Sequence, residues 1–161
     1  VDLNATSHLD VCLQLLEKLF RCGYGLRGAI SESVRPAGLS ETEFRLLWLC
    51  GRADPPGVHQ TELSERLAVS PAQVSAMVEQ LRRKKLLLGQ RSRSDRRRQC
   101  WRVTPQGRAL IASLAAELNP WAQRWLGHLS AGQLQSVAAA LDSITTADRT
   151  NDALRIERGA A

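Results

Sequence analysis

The chain has 161 residues, of which 43% are hydrophobic and 24% charged, and it carries a net charge of +6. That length and composition allow one domain with a proper core, or a small domain plus an oligomerisation element, and they exclude disorder as the default. No apolar run approaches the roughly 18 residues of a membrane span and no signal-peptide pattern opens the sequence, so a cytoplasmic location is expected.

Residues 8 to 34 place apolar side chains at Leu9, Cys12, Leu13, Leu16, Leu19, Phe20, Leu26, Ile30 and Val34. This spacing predicts one long helix with a broad apolar stripe, interrupted by Gly23 and Gly25 and ended by Pro36-Ala37-Gly38. A helix with so wide an apolar face needs a partner surface. Ser40 and Glu43 form a capping box that opens a second helix through Phe44, Leu47, Trp48 and Leu49 to about Arg52. Asp54-Pro55-Pro56-Gly57 reads as a turn. A short helix from about Gln60 to Leu67 follows, with Leu63 and Leu67 inward and His59 before it as a poor cap.

Ala68-Val69 is a tight connection to Ser70-Pro71, an N-cap followed by proline at the first helical position. With Gln73 completing a second capping box, this helix runs to about Lys84 and buries Val74, Met77 or Val78, and Leu81. Strand-like runs at 86–88 and 100–103 then flank a basic tip, and Thr104-Pro105 opens a long helix through Leu110, Ile111, Leu114 and Leu118. Asn119-Pro120 is expected to kink or break it, because proline removes a backbone donor and clashes with the preceding turn. Trp121 and Trp125 continue the spacing. Ser130 and Gln133 cap a last helix through Leu134, Val137, Leu141 and Ile144, and a frayed tail is expected from 149 to 161.

The order is mainly α with a small β-hairpin, and its centre reads as a winged helix-turn-helix. Charge points the same way. Residues 61–110 hold twelve Lys and Arg against four Asp and Glu, and the rest of the chain holds ten against twelve. Solubility needs no such segregation; a nucleic-acid footprint does. Six arginines fall within residues 91–102, namely Arg91, Arg93, Arg96, Arg97, Arg98 and Arg102, with Asp95 the lone acid. Arginine suits a narrow minor groove, since its weakly hydrated guanidinium enters a strongly negative region at modest cost. Asp95, two residues before Arg97, is placed to hold it.

A helix-turn-helix lays its second helix in the major groove. The exposed face of that helix is expected to show Ala72, Gln73, Ala76, Gln80 and Arg83, with Ser70 and Ser75 able to bond phosphates or bases. Gln73 can pair bidentately with adenine, and the Ala72 or Ala76 methyl can touch thymine methyls. Pro71 starts the helix, whose free amides favour a phosphate. Arg82, Arg83, Lys84 and Lys85 close it, either as DNA contacts or as a solvated end matched to the helix dipole.

Asp95-Arg96-Arg97, with Val103-Thr104-Pro105-Gln106-Gly107 after it, resembles the wing signature of the multiple antibiotic resistance regulator (MarR) family. Gln60 to Leu63 and Ser70 to Ser75 are similar to that family's two helix-turn-helix helices, and the likeness spans about residues 8 to 148. It implies an obligate homodimer on a palindromic operator of double-stranded DNA, with Arg97 in the minor groove and the 70–83 helix reading bases. It also implies a division into an N-terminal dimerisation helix (1–38), a winged helix-turn-helix domain (39–104), C-terminal dimerisation helices (105–148) and a tail (149–161). Two departures stand out. Ala76 occupies a frequent arginine position, which shifts weight to Gln73 and Gln80. Lys85 stands where glycine is common, so a left-handed backbone there is disfavoured.

The resemblance further implies a ligand-responsive repressor. Trp48, Trp121 and Trp125, with Arg45 or His8 as polar anchor, are the candidate pocket for a small apolar or phenolic effector. A redox-sensing repressor using Cys12 or Cys22 is the alternative, and a winged-helix module for protein contact is another. An enzyme is not expected: His8, His59 and His128 belong to no catalytic pattern and no Gly-rich phosphate loop occurs. Cys12, Cys22, Cys50 and Cys100 lack metal-ligand spacing, so no metal or other cofactor is expected and they read as mostly small buried hydrophobes.

Overall fold

Helix α1 (His8–Val34) begins at a capping box that the sequence reading passed over. The Ser7 hydroxyl accepts from the Asp10 N–H, and the Asp10 carboxylate accepts from the Ser7 N–H. The computed structural model in which this is seen describes residues 7–91 and 99–159. As the Pro36-Ala37-Gly38 run predicts, α1 gives way to a single 3-10 turn, Arg35–Ala37, and Gly38 takes the left-handed conformation at φ 67°. Within α1 only Val34 is buried. Leu9, Phe20 and Tyr24 are 66%, 69% and 85% exposed, so among the described residues most of the apolar stripe is uncovered. Cys12 and Cys22 ride on this helix and are exposed, whereas Cys50 and Cys100 are buried. The expectation that the cysteines are mostly buried is thus corrected for the two on α1.

Helix α2 (Glu41–Arg52) starts from the Ser40–Glu43 capping box, with the Glu43 carboxylate accepting from the Ser40 N–H at 2.7 Å. After it come β1 (Val58–His59), α3 (Gln60–Leu67), α4 (Pro71–Arg83), β2 (Leu87–Arg91) and β3 (Gln99–Val103). The strands form one antiparallel sheet in the order β1-β3-β2. The hairpin read from the sequence therefore gains a third strand. Strand β1 pairs Val58 with Trp101 and His59 with Cys100. Gly57 allows this entry: its φ is 107°, and a Cβ there would stand 2.6 Å from the Arg102 side chain and run into the Trp101 backbone.

Leu46 and Leu47 of α2, Leu63 of α3, Val74 and Leu81 of α4 and Val58 of β1 are fully buried. They join helices α2 to α4 and the sheet into one apolar core, which Leu114 of the next helix also enters. That helix, α5 (Pro105–Leu126), runs through Pro120 without interruption. Of the kink or break expected at Asn119-Pro120, the break does not occur. One missing donor costs a single intrahelical bond, and the Ala-, Leu- and Glu-rich turns before it favour helix strongly enough to carry the chain past it.

The chain divides into two compact units, Val1–Pro120 and Trp121–Ala161. In the second, the Trp121 and Trp125 rings stack at 5.3 Å between centroids. Ser130 and Gln133 exchange the expected capping-box bonds at the start of α6 (Ala131–Gly159), which extends past the boundary at 149. Among the described residues no helix is long and apolar enough to cross a membrane.

Candidate nucleic-acid interface

The turn between α3 and α4 is built by Ala68, which is left-handed at φ 54° and whose N–H reaches the Glu65 carbonyl at 3.2 Å. The Ser64 hydroxyl donates to the Val69 carbonyl at 2.6 Å, closing the corner. Gln60 spans the two helices: its amide donates to the Ser75 hydroxyl and to the Pro71 carbonyl. His59 caps α3 without a side-chain bond, as its residue type suggests.

On α4, Val74, Val78 and Leu81 face inward and Ala72, Gln73, Ser75, Ala76, Gln80 and Arg83 are exposed. The predicted outer face is therefore present as a surface. Gln73 and Ser75 of this face, and the N-cap Ser70 before it, are already engaged within the protein. The Ser70 hydroxyl accepts from the Gln73 N–H at 3.2 Å, and the Gln73 side-chain oxygen accepts from the Ser70 N–H at 3.0 Å. Ser75 donates to the Pro71 carbonyl at 3.0 Å while taking the Gln60 bond. Ser70 and Ser75 thus shape the helix start and its seat on α3. Gln73 would have to loosen its cap before its oxygen could pair fully with another group, and the exposed Gln80 side chain is the less encumbered of the two.

At the other end, Glu79 gathers the arginines. Arg82 donates from Nε to Oε2 at 2.8 Å and from Nη2 to Oε1 at 2.9 Å, and Arg83 donates from Nε to Oε1 at 3.2 Å. Sequence reasoning missed Glu79, although its spacing of three and four residues from those arginines was the available signal. Lys84 reaches back to the Gly38 carbonyl between α1 and α2. Lys85 is left-handed at φ 58°, so the chain accepts at this position the conformation that its residue type disfavours.

The wing's root is well defined. Arg91 pairs with Gln99, Gly89 with Trp101 and Leu87 with Val103. Thr104 fastens this root: its N–H donates to the Leu86 carbonyl at 3.0 Å, its hydroxyl donates to the Lys85 carbonyl at 2.7 Å, and it accepts from the Gly107 N–H at 3.0 Å. Gly107 lies against the Leu86 carbonyl, where a Cβ would also stand 2.6 Å from Val103 Cγ2. The Thr-x-x-Gly part of the wing signature is thus the joint between wing and helix α5. Arg93, Asp95, Arg96, Arg97 and Arg98 lie outside the described residues, as does the Arg91 side chain.

The residues read as an effector pocket fall in both compact units, and each is described within its own. Arg45 donates to the buried Glu41 carboxylate at 3.2 Å, which Arg27 of α1 also approaches at 3.3 Å. Trp48 is exposed with the Arg52 guanidinium 5.0 Å over its ring. Trp121 and Trp125 belong to the second unit and stack on each other. A hollow of about 840 Å³ lies elsewhere, along α1 at the start of α2, lined by Leu16, Leu19, Phe20, Tyr24, Arg27 and Glu41 among others.

A MarR family model matches residues 37–98, the helix-turn-helix and the first part of the wing. No curated protein matches the sequence. Among solved structures, the chain is similar to CouR from Rhodococcus jostii RHA1 bound to p-coumaroyl-CoA, at a TM-score of 0.71 and 25% identity, over 78% of this chain and 87% of that one. It shares its fold with the transcriptional regulator BldR from Sulfolobus solfataricus, at a TM-score of 0.73 and 20% identity over 88% and 99% of the two chains. A MepR–DNA complex from S. aureus also shares the fold, at 0.65 and 19% identity over 81% and 96%. The segment 37–98 is thus similar to the MarR family, and the chain as a whole shares the fold of these solved transcriptional regulators.

Proposed function

We propose that this protein is a repressor that binds a palindromic operator in duplex DNA as a homodimer. The exposed outer face of α4 carries the reading, because it stands beside a wing whose sequence concentrates arginine. In it, α4 lies in the major groove, Gln80 and Gln73 read bases, and Arg97 enters the minor groove with Asp95 holding it. The uncovered apolar side of α1 supports the dimer, since soluble monomers rarely expose so continuous an apolar patch.

Binding to random and operator-like duplexes across a range of salt tests the reading. Affinity is expected to fall steeply with salt as neutralised phosphates release counterions. Arg97→Ala is expected to weaken operator binding by about 1–3 kcal/mol, and Gln80→Ala to relax base preference while sparing binding to random duplex. A flat salt response rejects DNA binding and favours a protein-contact module. A monomer in sedimentation at micromolar concentration rejects the dimer.

The proposed effector is a small apolar or phenolic molecule. The hollow along α1 supports it, with Arg27 and Glu41 in its lining and Arg45, the anchor read from the sequence, bonded to the same Glu41 carboxylate. Phenolic acids and their coenzyme A thioesters are the compounds to titrate, with release of bound DNA as the readout.

A further inference from the structure

Glu79 is the acid on the outward side of α4, half-exposed, within one turn of the exposed Ala76 and Arg83. An acid in that position is unexpected on a surface that approaches phosphates. Its two oxygens accept three hydrogen bonds, two from Arg82 and one from Arg83. Arg82 therefore turns its Nε–Nη2 edge to the carboxylate, and Arg83 commits its Nε–H to it while its Nη groups stay outward. The trio presents one net positive charge where the arginines alone would present two. Glu79 and Arg82 also form part of the wall of an open hollow of about 610 Å³ between α4 and strands β2 and β3. A phosphate entering there meets the carboxylate together with the guanidinium.

We propose that Glu79 is a specificity-determining residue that acts by restraint, withholding Arg82 and Arg83 from indiscriminate phosphate contacts so that discrimination rests on the groups that read bases. The proposal rests on the DNA-binding reading above. Exposed ion pairs within one helix add little to stability, so the arrangement is poorly explained as a staple for α4. The Arg82 hydrogen bonds hold the Glu79 carboxyl down at about 2, against a usual 4.5, with smaller contributions from Arg83. It therefore keeps its negative charge at any ordinary pH, and no proton uptake removes the repulsion when DNA approaches. Affinity for arbitrary sequence competes directly with affinity for the operator, because arbitrary sites are vastly more numerous. Lowering the first is a means of raising the ratio.

The test compares the parent protein, Glu79→Gln and Glu17→Gln, which removes the same charge from α1 where Glu17 faces Arg21. Each is titrated against a random-sequence duplex across a range of salt, and against duplexes selected by the parent from a random pool. Glu79→Gln is expected to bind random duplex several-fold more tightly at low salt. Its plot of log affinity against log salt is expected to steepen by about 0.9 for each phosphate newly contacted, so by about 1–2 per protomer. The ratio of selected to random affinity should fall by the same several-fold factor. If Glu79→Gln behaves like Glu17→Gln on random duplex, restraint is wrong. Loss of preference at one base position with random affinity unchanged also overturns it, since Glu79 would then read a base directly. A parent protein with no salt response rejects the DNA-binding reading itself, an outcome distinct from either.

Discussion

Gly107→Ala puts the joint between wing and body to a quantitative test. The added methyl would stand 2.6 Å from Val103 Cγ2 and closer still to the Leu86 carbonyl oxygen. Ordinary carbon contacts lie near 3.5–4.0 Å, so one side must yield by about 1 Å. Neither neighbour yields easily. Val103 is buried in the core, and the Leu86 carbonyl accepts from the Thr104 N–H at 3.0 Å. Overpacking of this kind costs about 1–3 kcal/mol, and a hydrogen bond lost from the Thr104 set adds about 1 kcal/mol. At roughly 2–4 °C per kcal/mol for a chain of this size, the melting temperature should fall by about 4–16 °C. Differential scanning fluorimetry at one fixed protein concentration measures it, because any self-association makes melting concentration-dependent. Gly132→Ala is the control: the added Cβ would meet nothing nearer than the Ser130 hydroxyl at 4.0 Å. If Gly107→Ala melts as Gly132→Ala does, within the roughly 0.5 kcal/mol expected of a surface change, the close approach has been misread.

Burial pushes the Cys50 thiol up from the usual 9.0 to about 12, with the Glu62 carboxylate adding to the rise and Arg66 opposing it. The folded protein keeps this proton where the unfolded chain loses it, so the contribution is complete below pH 9.0 and declines as pH climbs toward about 12. Denaturation midpoints are expected to drop across that window, and less so in Cys50→Ala. Iodoacetamide should leave Cys50 untouched until denaturant is added; labelling of Cys50 in the native protein, read by mass spectrometry, contradicts its burial. Lys85→Gly removes a left-handed lysine and is expected to raise stability by up to about 1 kcal/mol in chemical denaturation. A loss of stability there means that the lysine side chain contributes more than its backbone costs.

Local features were legible in the sequence because their physics is local. The capping boxes at Ser40, Ser70 and Ser130 each need only a hydroxyl and an acid or amide three residues on, and all three form. Buried Leu63, Leu67, Val74, Val78 and Leu81 follow from helical spacing alone. Strand β1 was not legible, since two residues carry no period and its partner is remote in sequence. The exposure of Cys12 and Cys22 was also hidden: spacing shows that α1 has an apolar side, not that the chain leaves that side uncovered. At the interface, residue types pointed to Gln73 and Ser75 as DNA contacts. The capping box already implied the bond that occupies Gln73, whereas only geometry shows those that occupy Ser75.

The small strand β1 has a consequence for how this surface comes into being. It brings His59 against Cys100, 41 residues further along, directly ahead of helix α3. Pairing over so long a separation closes a large loop, and the entropy of closure must be met before the contact gives anything back. Both helices of the helix-turn-helix lie within that loop. Wing root and helix pair are therefore expected to gain order in one cooperative step, as a single folding unit rather than as two modules joined afterwards. A nascent or partly melted chain then has no half-formed reading head: the surface is present whole or not at all.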